Sequence, residues 1–254
     1  MKYVLILLIT LGYSSLWSQF SKRDKTDKIP SYFGLQIKTL FPTKFVGNPI
    51  LDITNNEFHS RTKQSIGYGF GATVRVGFTK LLALETGLHF TQRNYKIEMD
   101  IKDSNLFATN NLSFISYELP LNALVYIQLN QNIFMNTALG ASINYKPTNV
   151  GVLNTPGGNH YFYHTGIINS RVFFDFNASV GFEYRTKKNG FFYLGGSAKV
   201  PYQELFTMVA KYENQSYVNR ITGGTSGSYL SIDFKYFFPN IRRSGEQMEQ
   251  GPIE

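Results

Sequence analysis

Residues of alternating character recur along this chain with a period of two, and that pattern constrains its fold more than any other feature. Between Gly67 and Phe78, Tyr68, Phe70, Ala72, Val74, Val76 and Phe78 share one face, and Gly67, Gly69, Gly71, Thr73, Arg75 and Gly77 share the other. A β-strand imposes this arrangement because successive Cβ atoms point to opposite sides of a sheet. Arg171 to Arg185 repeats it, with Val172, Phe174, Phe176, Ala178, Val180, Phe182 and Tyr184 against Arg171, Asp175, Asn177, Ser179, Gly181, Glu183 and Arg185. Only Phe173 breaks the rhythm. Tyr32–Phe41, Leu82–Tyr95, Phe114–Gln128, Ile133–Tyr145 and Tyr229–Phe238 alternate nearly as well, and Phe191–Val200 makes an eighth segment whose two faces both begin aromatic. No stretch sustains a helical stripe.

The connections alternate too. Thr79–Leu81, Asn130–Asn132 and Thr186–Gly190 are tight turns, whereas Pro42–Ile66, Lys96–Ser113, Lys146–Ser170 and Pro201–Ser228 are long. Short turns at one end and long loops at the other are the mark of an up-and-down barrel in an outer membrane, whose strands cross the bilayer with about 9–11 tilted residues each. The expected fold is therefore all-β, an eight-stranded antiparallel transmembrane barrel over residues 31–238, with both termini on the turn side. A soluble barrel with the apolar face inside is the rival. It fails on volume, because an eight-stranded interior is barely wide enough for side chains, and the apolar face carries five or six bulky ones per strand. Composition agrees: 22 Phe and 17 Tyr, 22 Gly, and 17% charged residues describe neither a disordered chain nor a helical membrane protein.

The ends are set apart from the barrel. Lys2, the apolar run Val4–Leu11 and the small residues Ser14, Ser15 and Ser18 have the order of a secretory signal peptide over residues 1–18, with cleavage expected before Gln19. The apolar run is too short to span about 30 Å of hydrocarbon. Residues 19–30 form a polar periplasmic lead-in and 239–254 a polar tail. The absence of Cys excludes a disulfide framework, thiolate metal sites, a Cys nucleophile and a lipid anchor on Cys. The formal charge of +8 is scattered without a basic stripe, so no nucleic-acid partner is expected.

The polar faces of the strands gather Lys38, Arg75, Glu85, His89, Arg93, Glu118, Asp175, Glu183, Arg185, Asp233 and Lys235. A three-residue turn sets Arg75 opposite Glu85. In a tight lumen such charges persist only when paired, so an interlocking plug of ion pairs is expected ahead of a proton or ion path. His89 on the face of Glu85 is a weak acid–base signal. His160 and His164 in NHYFYH lack a third ligand nearby, so a loop-packed pair is expected and no metal site. The alternating glycines 67, 69 and 71 read as room for inward neighbours or as barrel curvature, and Pro120, mid-strand, calls for a bulge. No G-x-S-x-G, H-E-x-x-H or Walker loop occurs. No cofactor and no enzymatic activity are expected.

Three segments, LALETGLHFTQRNYK (82–96), SYELPLNALVYIQL (116–129) and the closing YLSIDFKYFF (229–238), resemble the small PorT-like outer-membrane barrels over about Tyr32 to Phe238. Two departures stand out: Gln92-Arg93-Asn94, where the family often has a Lys-Gly pair, and the tail beyond Phe238. The resemblance implies an outer-membrane location and, for the namesake, an accessory part in type IX protein secretion. It carries no catalytic motif. The closing aromatics Tyr236 and Phe238 resemble the C-terminal signal read by the barrel insertion machinery; the plainer reading places them in the interfacial girdle. Expected partners are outer-membrane lipid, the insertion machinery, and other secretion or surface proteins. A small-solute transport barrel and a membrane-embedded barrel enzyme are the alternative functions.

Overall fold

A computed structural model describes residues 31–239 except 45–47, 56, 80, 103–105, 187, 216 and 217. The chain divides into two compact units, 1–30 and 31–254. The signal peptide, the lead-in and the tail from 240 onward lie outside the described residues.

Among the described residues there are thirteen strands and no helix: β1 (Ser31–Phe41), β2 (Ile50–Asn55), β3 (Phe58–Gly77), β4 (Leu82–Ile101), β5 (Phe107–Gln128), β6 (Ile133–Tyr145), β7 (Val150–Gly157), β8 (His160–Ile168), β9 (Val172–Arg185), β10 (Phe191–Pro201), β11 (Phe206–Glu213), β12 (Val218–Thr225) and β13 (Tyr229–Phe237). Eight of them, β1, β3, β4, β5, β6, β9, β10 and β13, pair antiparallel in an up-and-down ring. The ring closes because β1 pairs on one side with β13, from Gly34↔Phe237 to Phe41↔Leu230, and on the other with β3, from Ser31↔Val76 to Leu40↔Gly67. Closure leaves no open edge, the condition that hydrocarbon imposes on a sheet.

The strand count and lengths correct the expectation from sequence. Five strands occupy stretches expected to be loops, and three ring strands are about twice the length a bilayer needs, at 20, 20 and 22 residues for β3, β4 and β5. Lys96–Ser113 is no long loop; it is the continuation of β4 and β5, joined through 102–106. The polarity of the pleat inverts partway along. On β4, Glu85, His89 and Arg93 point inward while Leu88 and Phe90 point outward; farther on, Tyr95, Ile97 and Met99 are the buried ones, and Lys96, Glu98 and Asp100 face out. One strand thus serves two solvents. Its lower half turns apolar groups to lipid, and its upper half turns polar groups to water.

On β3 the same change is made with a bulge. Ser65 pairs with Asn94 and Tyr68 with Gln92, so three steps on β3 match two on β4. The extra residue sends Ile66 outward and re-phases the strand, so that Phe58, Ser60, Thr62 and Gln64 join the buried face above it. The bulge expected at Pro120 is absent. β5 keeps its register with β6 straight through Pro120↔Ser142. The missing N–H costs only ladder bonds on the β4 side, where the Pro120 carbonyl accepts from Thr86 Oγ1 at 2.7 Å.

Above the ring, the sheet β12-β11-β8-β7 faces the outer halves of β3, β4 and β5 together with β2. Phe58, Tyr95, Ile97, Met99, Leu112 and Phe114 from one side meet Phe162, Phe206, Met208, Tyr212 and Ile221 from the other in a single buried core. Phe206 stacks on Phe114 at 3.9 Å between ring centroids and meets Tyr95 edge-on at 5.1 Å. Gly166 has no side chain because the Phe114 ring occupies that space, 2.2 Å from where a Cβ would sit. Side-chain amides tie the edges: Asn154 Nδ2 of β7 donates to Asn110 Oδ1 of β5 at 3.3 Å, and Asn55 Nδ2 of β2 to Asn219 Oδ1 of β12 at 3.2 Å. Each buried large apolar side chain contributes about 1.5–3 kcal/mol, which offsets the entropy of ordering connections this long. We call this two-sheet assembly the cap.

Candidate functional site: the sealed lumen

The polar faces of the ring strands converge on the barrel axis, and the structure places all eleven polar-face residues named from the sequence in the buried interior. Three layers can be followed from the turn end upward. The lowest is aromatic. Phe191 stacks on Phe237 at 4.5 Å, with Tyr126, Phe134 and Tyr193 beside them, and two guanidiniums lie on these rings: Arg75 at 4.2 Å over Phe237 and Arg185 at 3.9 Å over Phe134.

The second layer neutralises those cations. Arg75 and Glu85 face each other across β3 and β4, and Arg75 Nη2 lies 2.5 Å from the carboxylate. Arg75 also pairs with Glu183, which takes Arg185 at 3.0 Å and the Asn136 amide at 2.6 Å. Lys235 pairs with the other oxygen of Glu85. A five-member chain, Lys235–Glu85–Arg75–Glu183–Arg185, therefore extends the Arg75–Glu85 pair into the interlocking plug expected. Burial makes such charges costly unless each is matched, and here every carboxylate oxygen has a donor.

The third layer centres on Glu118. Lys38 at 2.7 Å and Lys199 at 2.8 Å share one oxygen, Arg93 stands 3.7 Å away, and the Tyr229 hydroxyl donates at 3.4 Å. Arg93 also faces Asp175 at 3.5 Å and donates to Ser116 at 3.0 Å. Between the second and third layers lies a cavity of about 40 Å³ bounded by Gln36, His89, Asn122, Asn177, Ser197 and Asp233. That is room for a few water molecules. Gln36 and Ser231 both donate to Asp233.

His89 does not engage a carboxylate. Its Nε2 bonds to Thr73 Oγ1 at 3.1 Å, and its ring fills the space that Gly71 leaves, as the Lys38 stem does at Gly69. Gly69 and Gly71 thus make room for inward neighbours, whereas a side chain at Gly67 would meet the backbone at Gln92.

Four members of the network escaped sequence reasoning: Tyr126, Asn136, Lys199 and Tyr229. Tyr229 and Lys199 were nevertheless legible, since Tyr229 is in phase with Ser231, Asp233 and Lys235, and Lys199 with Tyr193, Gly195 and Ser197. The aromatic start on both faces of β10 hid the second. Phe173, which broke the alternation of β9, points inward where lumen meets cap, and the Lys146 ammonium lies 4.4 Å from its ring centroid.

His160 and His164 share one face of β8 but sit about 13 Å apart along the strand, too far to bind one metal. His160 bonds the Tyr212 hydroxyl at 2.7 Å, whereas His164 is buried in the cap. No group of three or more candidate metal ligands occurs among the described residues. On the outer surface of the cap, His59 is clamped between Asp100 at 2.7 Å and Asp52 at 2.5 Å, and the Asp100 hydrogen bond leads in raising its pKa.

Outward, the ring carries the apolar band. Phe70, Leu88, Leu121, Leu139, Phe182 and Ile232 are all about half exposed or more. Tyr68, Phe90 and Tyr117 cluster on the cap-side rim, and Phe33, Phe192, Tyr236 and Phe238 on the turn-side rim. Tyr236 and Phe238 face outward as the alternation required. Tyr236 donates to the Asn189 carbonyl at 3.0 Å, and Phe238 stacks on Phe33 at 5.9 Å.

No family model and no curated protein matches the chain. Among solved structures it is similar to the outer membrane protein OprG from Pseudomonas aeruginosa, with a TM-score of 0.50 and 12% identity over 84% of this chain and 98% of that one. The β domain of the Bordetella autotransporter BrkA gives a TM-score of 0.29 at 7% identity over 84% and 100%, a likeness too slight to argue from. At these identities the comparison bears on architecture alone. Closed ring, inverted polarity and structural likeness together make the chain an all-antiparallel β-barrel of the outer-membrane type.

Proposed function

We propose that the protein is a non-enzymatic, non-conducting barrel of the outer membrane, and that it anchors or assists a surface or protein-secretion machine in the manner of the PorT-like barrels it resembles. The observation that carries this reading is the double seal. The lumen is filled by matched ion pairs over an aromatic floor, and the ring is roofed by a dry core whose Phe114 and Phe206 stack face to face. A barrel closed twice passes nothing by diffusion, so its working surfaces are the outer faces of the cap and the tight turns at the other end. In an outer membrane the cap projects from the cell and the turns face the periplasm. His89, the one lumen histidine among the described residues, is enclosed between floor and roof, which argues against chemistry on an outside substrate.

Planar-bilayer recording tests the seal. Purified protein should give no steady conductance at neutral pH. A stable open state of large conductance would overturn the reading in favour of solute transport, and crosslinked capture of a secretion or surface component from mildly solubilised membrane would identify the partner.

A further inference from the structure

His164 is the buried ionisable group that the lumen network leaves unused. It lies on β8 between Phe162 and Gly166, on the face turned to the opposing sheet, and is 1% exposed. Its lateral neighbours are Val152 on β7 and Ala210 on β11, neither of which offers a polar side chain. Neither ring nitrogen has a hydrogen-bond partner among the described residues. A neutral imidazole tolerates such a place at modest cost. An imidazolium does not, because its second proton and its charge would both be stranded in an apolar interior.

We propose that the cap is an acid-sensitive lid: protonation of His164 separates its two sheets and bares their aromatic faces, while the eight-stranded ring stays shut.

The surroundings offer the extra proton no carboxylate. The inward residues are Phe58, Ser60, Thr62 and Gln64 on β3; Tyr95, Ile97 and Met99 on β4; Ala108, Asn110, Leu112 and Phe114 on β5; Phe206, Met208, Ala210 and Tyr212 on β11; and Asn219 and Ile221 on β12, while Leu51 and Ile53 of β2 and Val150 and Val152 of β7 pack against this core. Their titratable members are the phenols of Tyr95 and Tyr212, with His160 on Tyr212 and the Lys146 ammonium at the floor of the cap. Asp52, His59, Asp100 and Glu98 sit on the outer surface.

Burial pushes the His164 pKa down to about 4 from an ordinary value of 6.5. The closed cap therefore binds the proton less readily than the opened one. Its stability is full above about pH 6.5, declines as pH falls, and levels off below about 4. The surface clamp around His59 joins β2, β3 and β4 and does not involve β8.

Hydrogen exchange of the full mature protein in lipid nanodiscs, corrected for intrinsic pH dependence, reads the lid directly. Peptides from β7–β8 and β11–β12 should open on the order of fifty-fold more often at pH 4.5 than at pH 7, as the shift of His164 requires, while β6, β9 and β13 hold. In His164→Leu the acid response of the cap should vanish with the cap closed at both pH values. An unchanged wild-type cap at pH 4.5, an equal acid response in His164→Leu, or a His164→Leu cap already open at pH 7 would each overturn the proposal. The bilayer conductance of the ring at pH 7 is untouched by any of these outcomes, so this test and that of the proposed function fail independently.

Discussion

Glu85 shows how a buried charge in this barrel is held by more than the partner that alternation assigns to it. The register places Arg75 opposite, yet Lys235 reaches the second oxygen from β13, on the far side of the ring seam. Removing the carboxylate strands Lys235 in a water-poor lumen and leaves Arg75 with Glu183 alone. Glu85→Gln should therefore cost about 3–5 kcal/mol, read as a lower midpoint of urea unfolding in detergent. Arg75→Met with Glu85→Leu should recover only part of that loss, because Lys235 keeps its charge without its carboxylate, and adding Lys235→Met should recover more. Equal losses for the single and the triple variant would mean that the three do not act as one group. The sequence predicts the Arg75–Glu85 meeting because both lie near one tight turn, where counting residues fixes the register. It is silent on Lys235 and Glu183, whose approach depends on how the barrel closes.

The element whose behaviour departs most from simple alternation is β3. Its lower half has Gly and Thr facing inward and aromatics outward, and its upper half has Phe58 inward and Arg61 and Lys63 outward. Ile66 is the residue that lets both halves be correct, being the extra step in the bulge and 59% exposed. Deleting it should leave the ring pairing intact and shift the upper half by one, turning His59, Arg61 and Lys63 into the cap core and Phe58 out of it. The expected result is a barrel that still resists unfolding by heated detergent while protease removes cap segments. Wild-type protection of the cap would show that the bulge is dispensable. On β4 the inversion was visible in advance, since Tyr95, Ile97, Met99 and Ile101 alternate with Lys96, Glu98 and Asp100. The apolar-out pattern expected of a membrane strand ends there, although the period of two does not. β7 and β12 are harder to read, because Gly151, Pro156, Gly157, Gly223 and Gly224 dilute the alternation and their order in the second sheet rests on contacts distant in sequence.

For the molecule as a whole, the seam between β1 and β13 decides whether a barrel exists. Phe238 extends it past the last strand, where its N–H donates to the Phe33 carbonyl at 2.9 Å and its ring stacks on Phe33. Tyr236→Ala with Phe238→Ala should leave the chain as a protease-sensitive species short of the membrane, measured by cell fractionation with proteolysis. Normal insertion of that variant would reduce both residues to members of the girdle. Ring membership, the inward face and the turn end were all readable from periodicity, because lipid and a narrow lumen each admit only one class of side chain. The cap was not, because it obeys the ordinary rule of apolar inside, and that rule leaves many ways of pairing four short strands.

The inversion of polarity along β3, β4 and β5 also gives assembly a direction. For a barrel inserted from its turn side, Arg61, Lys63, Lys96, Glu98 and Asp100 have to reach the far side of the membrane before the core they surround can condense there. After Phe206 has settled on Phe114, sliding back would draw those charges into the bilayer again, against a barrier of about 2–4 kcal/mol for each deeply placed basic residue and less for the acidic ones. The head turns polar groups outward where the shank turns apolar ones. The barrel is thus fastened like a rivet, whose second head is made only after the pin has gone through the plate.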